Sequence, residues 1–418
     1  MVQRYPWPSH LLVLAAAIVG GCSIPFIQRP DPLEESYRLV HRFYVKPVQA
    51  DLISQAGLDT LSKFDHDVVV EVTDRELLIK HGTLQVTELP APAPDDWRAW
   101  ARVAGQAITS AAAVSPRIAK IPEDDIEDAV ISGTVAALDP YSQYLPPNSA
   151  SRNILRESER RAVDGQARTN RIATNLPGEQ IPLPASVSWR IDDGVAVIQI
   201  RRFTTITGHL VHQALERAFR GQANASGVVL DLRGDPGGMI DAAVQVADIF
   251  LDHGRVVVLE GRDPRDRRVF RAKSEGSIYE RIPLVVLADG VSASAAEVVA
   301  AALQDNRRAL VIGTSTFGKG TSQRIIELAN GGELWLTSAY MRSAAGYLLD
   351  RHGVIPDICT AEQGDSARAE RFHALSAKKR TSLSEAEWAE LRRTCPPSEL
   401  QAADALERAK RILHSRAD

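Results

Sequence analysis

The stretch that decides the fold is Asp231-Leu-Arg-Gly-Asp-Pro-Gly-Gly238, which directly follows the apolar run Gly227-Val-Val-Leu. That run has the composition of a buried strand, and a helical pattern begins near Met239. Glycines at a strand-to-helix corner let backbone N–H groups face outward, where they can hold an anion or a developing oxyanion. An ordinary tight turn needs the same residues, so this stretch alone leaves both interpretations open.

A second corner of the same kind is Val291-Ser-Ala-Ser-Ala-Ala-Glu297, between the apolar run 284–288 and a helical pattern. A serine at this position lies at a helix N-terminus, where free N–H groups and the helix dipole favour negative charge beside its hydroxyl. Ser292 or Ser294 could equally be a simple N-cap.

The third segment is Thr316-Phe-Gly-Lys-Gly-Thr-Ser-Gln323, which follows the apolar run 309–312. A lysine between two glycines and beside a phenylalanine can be desolvated enough to lose its proton and act as a base. A solvated loop lysine is the commoner alternative.

Together the three segments resemble the core of the C-terminal processing (tail-specific) peptidases, which carry D-L-R-x-N-P-G-G, S-A-S-A-S-E and T-F-G-K-G. The 25 residues from Ser294 to Lys319 also match the family. The resemblance implies an α/β (mixed α+β) fold with a crotonase-like ββα-spiral core. It also implies that Ser294 is the nucleophile, Lys319 the general base and Gln323 the residue that orients the lysine. By the same matching, the backbone N–H groups of Gly237 and Ala295 form the oxyanion hole, and neither cofactor nor metal is expected.

The chain departs from the family pattern in two motif positions and in one module. Asp235 replaces the usual Asn and Ala296 the usual last Ser, while Asp305 matches a recurrent acidic position that we expect to be structural. Family members usually carry a PDZ module before the core, but only residues 148–186 fill that gap here, too few to fold alone. We therefore expect the module to be missing and an accessory or adaptor protein to supply specificity for polypeptide substrates.

The remaining pattern predicts the order of the domains. Helical patterns over 32–63, 95–114 and 123–138 flank two alternating runs, 67–71 and 76–86, that predict a hairpin, and 64–120 resembles an insertion. The predicted organisation is a leader (1–21), an α+β region (22–148), a polar linker (149–186), a peptidase core (187–358) and a helical tail (359–418).

The first residues have the pattern of an export signal. Arg4 precedes the apolar run 11–19, and Gly20-Gly21-Cys22 ends it, which resembles the bacterial lipoprotein signal with Cys22 as the lipidated residue. Ser23 then favours the outer membrane, facing the periplasm. An ordinary secretory signal or a short transmembrane anchor is the alternative.

Two cysteines remain, and in an oxidising compartment Cys359 and Cys395 most simply form a disulfide that ties the tail to the core. A free or metal-bound pair is the other possibility, although no histidine stands nearby at metal-ligand spacing. The net charge of −4 excludes a protein built to bind nucleic acid.

Other functions compete with the peptidase. Residues 313–320 nearly match a Walker A loop, but Gly stands at the last position and a strand-like pattern follows. Ser376-Ala-Lys-Lys379 matches the S-x-x-K of penicillin-binding proteins without its partner motifs. A catalytically silent scaffold on the peptidase fold is the serious alternative.

Overall fold

The computed structural model describes residues 31–147, 149, 186–220, 225–273, 279, 281–361, 366–398 and 403–415. The leader, Cys22 and nearly all of the polar linker lie outside these residues, so the predictions for them stay predictions. The chain divides into two compact units. One contains residues 31–149 and 323–338, and the other contains residues 186–322 and 339–415. Among the residues described, no helix is both long and apolar enough to cross a bilayer.

Four helices form most of the N-terminal unit, as the helical patterns predicted. They are α1 Pro32–Phe43, α2 Ala50–Leu58, α3 Trp97–Val114 and α4 Glu123–Ala136. Helix α1 shows why the sequence signal was clear. Asp31 caps it by accepting the Leu33 N–H at 2.8 Å, and Pro32 occupies the first helical position, where its missing N–H has no cost.

The N-terminal unit also contains an antiparallel sheet of three strands, β1 Val68–Val72, β2 Glu76–His81 and β3 Leu84–Pro90. The predicted hairpin is present as the antiparallel pair β1 and β2, but the run 76–86 is itself a hairpin and adds the third strand. The chain turns at Gly82, whose φ of +60° favours glycine, and His81 pairs with Leu84 across a two-residue turn. This short turn interrupts the alternation too little to be recognised.

The C-terminal unit is built on a sheet of six strands in the order β14-β11-β10-β7-β6-β5. Only β5 is antiparallel to its neighbour. The strands are β5 Val187–Asp192, β6 Val195–Ile200, β7 Gly227–Asp231, β10 Leu284–Ala288, β11 Leu310–Gly313 and β14 Ile358–Cys359. Every residue of β7 and β10 is buried, as expected for parallel strands that are covered on both faces.

Helices cover both faces of this sheet. The core on one face contains residues of α5 Thr207–Arg220, α6 Ile240–Phe250 and α7 Ala295–Asp305, and the same hydrophobic cluster extends to α8 Ser366–Ser376 and α9 Glu385–Thr394. The other face packs against α10 Ala403–His414, which places Ala405, Ala409 and Leu413 over Val285 and its neighbours. The predicted helical tail is therefore part of the core, and the mixed α/β class is confirmed.

The remaining strands are β4 Gln143–Leu145, β8 Arg255–Glu260, β9 Arg268–Arg271, β12 Thr321–Glu327 and β13 Glu333–Arg342. In the N-terminal unit, residues 333–335 pair with β4. In the C-terminal unit, residues 340–342 pair with β8, which also pairs with β9. The predicted disulfide between Cys359 and Cys395 is present.

The contact between α2 and α4 generates a prediction about stability. A Cβ at Gly57 would lie 2.2 Å from Thr134 Oγ1 and 2.9 Å from the Val130 carbonyl oxygen, so Gly57→Ala should lower the free energy of unfolding by roughly 1–3 kcal/mol. Gly105→Ala in α3 is the matched control, because apart from its chain neighbours and its own helix backbone no atom of the described chain lies within 4 Å of its Cβ position. It should be neutral or stabilising by up to about 1 kcal/mol. Urea unfolding measures both values, and equal effects would contradict the packing argument.

Candidate active site

The three segments singled out in the sequence follow three adjacent parallel strands. Residues 232–238 follow β7, residues 289–294 follow β10 and residues 314–320 follow β11. Strand β10 lies between the other two. Because parallel strands bring their carboxyl ends to one edge of a sheet, the three segments meet there.

Asp289 and Ser292 form the corner that precedes the candidate nucleophile. The Asp289 carboxylate accepts the N–H groups of Val291 and Ser292 at 3.0 Å and that of Gly234 at 3.1 Å. The Ser292 hydroxyl donates to the Leu232 carbonyl at 2.8 Å and accepts the Asp289 N–H. Ser292 therefore holds two of the segments together.

Ser294 has an unusual backbone conformation directly before helix α7. Its φ of +54° and ψ of −112° lie in a region that residues with side chains rarely adopt. Strained serines of this kind occur at sharp strand-to-helix turns that present a nucleophile. Ser294 is 8% exposed, and the first N–H groups of the helix, starting at Ala295, have no partner within the helix.

The Glu297 carboxylate joins the serine segment to the lysine segment. Its Oε2 accepts the N–H of Ser294 at 2.8 Å and that of Lys319 at 2.9 Å, so the two amide nitrogens lie within about 6 Å of each other. Its Oε1 accepts the Gly318 N–H at 2.7 Å and the Thr316 hydroxyl. Sequence reasoning missed this role, although S-x-x-E at a helix start is a recognisable capping signal.

Two glycines give Lys319 its position. Gly318 has a φ of +93°, and a Cβ at Gly320 would lie 1.8 Å from the Asp350 backbone nitrogen. Lys319 itself is half-buried, and Phe317 is 52% exposed. Strand β12 begins at Thr321, whereas a phosphate-binding loop continues into a helix, so the nucleotide-binding alternative is wrong.

Gly237 lies against the serine, as a residue of the predicted oxyanion hole should. A Cβ at Gly237 would be 2.8 Å from Ser294 Cβ and 2.9 Å from the Ala295 nitrogen, so only glycine fits. In this structure the Gly237 N–H donates to Asp235 Oδ1 at 2.8 Å. Its role in binding an oxyanion stays a prediction.

Burial shifts the pKa values of two acids at this site. It raises the pKa of Asp235 to about 7, and the Gly237 N–H and the charge of Arg202 oppose that rise. Asp235 Oδ2 is buried without a hydrogen-bond partner in the part of the chain described. Burial also raises the pKa of Glu297, against the effect of the four hydrogen bonds it accepts.

Two other residues from the sequence lie elsewhere. Gln323 groups with the N-terminal unit, where its Nε2 donates to Thr337 Oγ1 at 3.3 Å, and Thr337 in turn donates to Asp139. Its orientation of the lysine stays a prediction. Asp305 ends α7, and its Oδ2 accepts the Ala345 N–H at 2.7 Å, in keeping with a structural role.

One cluster within the described residues has the composition of a metal site. Asp65, Asp67 and His81 offer ligand atoms within 4.8 Å of one another. However, the Asp65 carboxylate already accepts hydrogen bonds from the Ser115 hydroxyl at 2.6 Å and from Arg117 at 2.7 Å. The arginine supplies the positive charge that a metal ion would otherwise bring.

A comparison with known protein families matches the part of the chain that carries these three segments. Residues 194–360 match the model of peptidase family S41. These residues therefore form a peptidase S41 domain. The predicted resemblance is thereby confirmed, and an S41 domain is of the serine peptidase type.

Curated relatives of the S41 domain are processing proteases. The chain is 39% identical over 175 residues to a carboxy-terminal-processing protease of Bartonella bacilliformis, a match that covers 41% of this chain and 40% of that protein. It is 32% identical over 203 residues to the carboxy-terminal processing protease CtpA of Bacillus subtilis, covering 49% and 42% respectively. The matches thus span less than half the length of these relatives.

Among solved structures, the chain is similar to a photosystem II D1 C-terminal processing protease. The identity is 20%, the TM-score is 0.49, and the match covers 78% of this chain and 92% of that one.

The raised pKa of Asp235 predicts how stability depends on pH. Between its ordinary value of 3.8 and about 7, the folded chain keeps a proton that the unfolded chain has lost, so the free energy of unfolding falls as pH rises. Each pKa unit corresponds to about 1.4 kcal/mol. Asn cannot ionise, so the stability gained by Asp235→Asn should grow across this window and then level off.

Thermal unfolding at several pH values between about 4 and 9 measures this difference. Asp263→Asn is the control, because the Asp263 carboxyl pairs with Arg265 and its pKa is lowered to about 2. The difference in stability between Asp263→Asn and wild type should not change with pH across the same window. A constant difference between wild type and Asp235→Asn would contradict the prediction.

Proposed function

We propose that this chain is a serine endopeptidase that uses Ser294 as nucleophile and Lys319 as general base. The observation that carries the proposal is the Glu297 carboxylate, whose Oε2 accepts the backbone N–H of both residues. A single buried oxygen thus keeps the two segments together. The similarity to S41 processing proteases supports the same reaction class.

In the proposed reaction, the neutral Lys319 amine takes the proton of the Ser294 hydroxyl while Oγ attacks a peptide carbonyl carbon. The N–H groups of Gly237 and Ala295 stabilise the negative oxygen. The C–N bond then breaks, and the leaving amine takes the proton from Lys319. The Lys319 amine then deprotonates a water molecule, which hydrolyses the Ser294 ester and restores the free enzyme.

The oxyanion hole requires one rearrangement. The Gly237 N–H donates to Asp235 in the structure, so it must turn toward or be shared with the substrate oxygen. Ionised Asp235 accepts that hydrogen bond more strongly than the neutral acid does, because hydrogen bonds to charged groups are the stronger ones. Gln323, by resemblance to the family, orients the lysine.

We further propose that the substrates are exported polypeptides, cut near their C-termini, and that the enzyme is lipid-anchored at Cys22 in the periplasm, on the outer membrane. The apolar run ending in Gly20-Gly21-Cys22 supports the anchor. The Cys359–Cys395 disulfide supports an oxidising compartment. An accessory or adaptor protein takes the place of a PDZ module in choosing substrates.

Cleavage of an unstructured polypeptide by the purified chain tests the catalytic roles. Ser294→Ala and Lys319→Ala should each lower the rate by at least about a thousandfold, because they remove the nucleophile and its base. Ser292→Ala is the matched control. It removes the hydrogen bond to Leu232 and should lower stability while most of the cleavage rate remains.

If wild type cleaves nothing even with membrane extract that supplies partners, a catalytically silent scaffold becomes the better description. Loss of cleavage in Ser292→Ala together with full activity in Ser294→Ala would instead exchange the roles of the two serines.

The lipid anchor has its own test. Cys22→Ser removes the thiol that would carry the lipid, so the protein should move from the membrane fraction to the soluble periplasmic fraction of the expressing bacterium. Labelling with a radioactive fatty acid should also disappear. Equal membrane retention of both proteins would contradict the anchor.

A further inference from the structure

The last residues of α9 and the chain that follows them form a short strap, residues 392–398, beside the proposed active site. Cys395 in this C-terminal strap is bonded to Cys359, at the end of the edge strand β14. The covalent bond fixes the strap to the same edge of the sheet at which the serine and lysine segments meet.

The strap contacts the segment that precedes Ser294. The Ser398 carbonyl accepts the Gly290 N–H at 2.9 Å. A Cβ at Gly290 would lie 2.6 Å from the Ser398 nitrogen, so the two backbones touch. Gly290 follows Asp289, whose carboxylate holds the corner before the serine.

The strap also contacts the segment that precedes Lys319. Thr314 Oγ1 donates to the Ser398 carbonyl at 3.1 Å, and the Ser315 hydroxyl donates to the Cys395 carbonyl. The Arg392 guanidinium donates to the carbonyl oxygens of Phe317 at 3.4 Å and His352 at 2.6 Å. One short piece of chain therefore binds both catalytic segments.

Arg392 places a charged group against neutral partners, because both of these hydrogen bonds are to backbone carbonyls. Burial lowers the pKa of Arg392, and the negative charge of Glu297 opposes that shift. Burying a charge costs free energy unless hydrogen bonds compensate. The donors of Arg392 satisfy that requirement at the loop beside the lysine.

We propose that the C-terminal strap is a positioning element of the active site, so that peptidase activity depends on the Cys359–Cys395 disulfide. The proposal rests on the proposed function. Glu297 holds the serine and lysine segments from the interior, and the strap holds them from outside. A chain that has not yet formed the disulfide is then poorly active, which protects a reducing compartment from it.

Reduction breaks the disulfide bond that fixes the strap to β14. A dithiol such as dithiothreitol passes two electrons and two protons to the disulfide, which becomes the two thiols of Cys359 and Cys395, and the reagent becomes a cyclic disulfide. Oxidised glutathione reverses the step by thiol–disulfide exchange.

The first experiment compares the oxidised, reduced and reoxidised full-length chain in detergent. The readouts are cleavage of an unstructured polypeptide and the rate at which a fluorophosphonate labels Ser294. Reduction should lower both by roughly tenfold to a hundredfold, the size of effect that misplaced reacting groups produce, and reoxidation should restore them. The double variant Cys359→Ser, Cys395→Ser should have the same cleavage and labelling rates as the reduced enzyme, and dithiothreitol should not change them. Circular dichroism shows whether this variant is folded.

If the reduced chain unfolds, a second pair of variants tests whether the strap positions the active site. Arg392→Ala, with the disulfide intact, should lower kcat with little change in KM, and Arg392→Lys should recover part of the loss. Arg393→Ala is the matched control, because Arg393 is the exposed neighbour in the same helix, and it should behave as wild type.

The outcomes separate the two proposals. If the oxidised enzyme cleaves and is labelled, but neither reduction of the folded chain nor Arg392→Ala changes its rates, the strap proposal alone is overturned. If the oxidised enzyme neither cleaves nor is labelled, and Ser294→Ala is indistinguishable from it, the proposed function fails and the strap proposal fails with it.

Discussion

The buried carboxylate of Glu297 is the interaction on which the rest of the site depends. Its four hydrogen bonds tie the start of α7 to the segment that carries Lys319, and its side chain has no solvent exposure. A buried acid is costly unless its oxygens are hydrogen-bonded. Here the donors come from two segments that are separate in sequence, so the acid is stabilised only when both segments are in place. Its burial thereby couples folding to the geometry of the site.

Close backbone contacts are the second constraint. Gly237 lies against Ser294, Gly320 lies against Asp350 and Gly290 lies against the C-terminal strap, each at distances that exclude a Cβ. The segments around Ser294 and Lys319 therefore contact their neighbours at these positions through backbone rather than through side chains. This explains why the motifs contain glycine at these positions.

The C-terminal tail contributes to the hydrophobic core and to the site, although its polar composition does not indicate this. Helix α10 covers one face of the parallel sheet, and residues 392–398 contact the segments before Ser294 and Lys319. A parallel sheet needs cover on both faces, and the helices between its strands supply only one of them here. The tail thus completes the core and contacts the segments before Ser294 and Lys319.

The sequence by itself determined the α/β class, the three corner segments and the disulfide partners, whereas the choice of Ser294 over Ser292, made by resemblance, stays a prediction. These features are local or depend on spacing, so periodicity and motif are enough to find them. Only the tertiary structure decided that Gly82 divides one run into two strands and that Glu297 binds the segments of Ser294 and Lys319. It also decided that Gly237 donates to Asp235 and that the tail packs on the sheet and on the edge where these segments meet. Such contacts join residues far apart in the chain or depend on the conformation of a few backbone atoms, and neither leaves a periodic trace in the sequence.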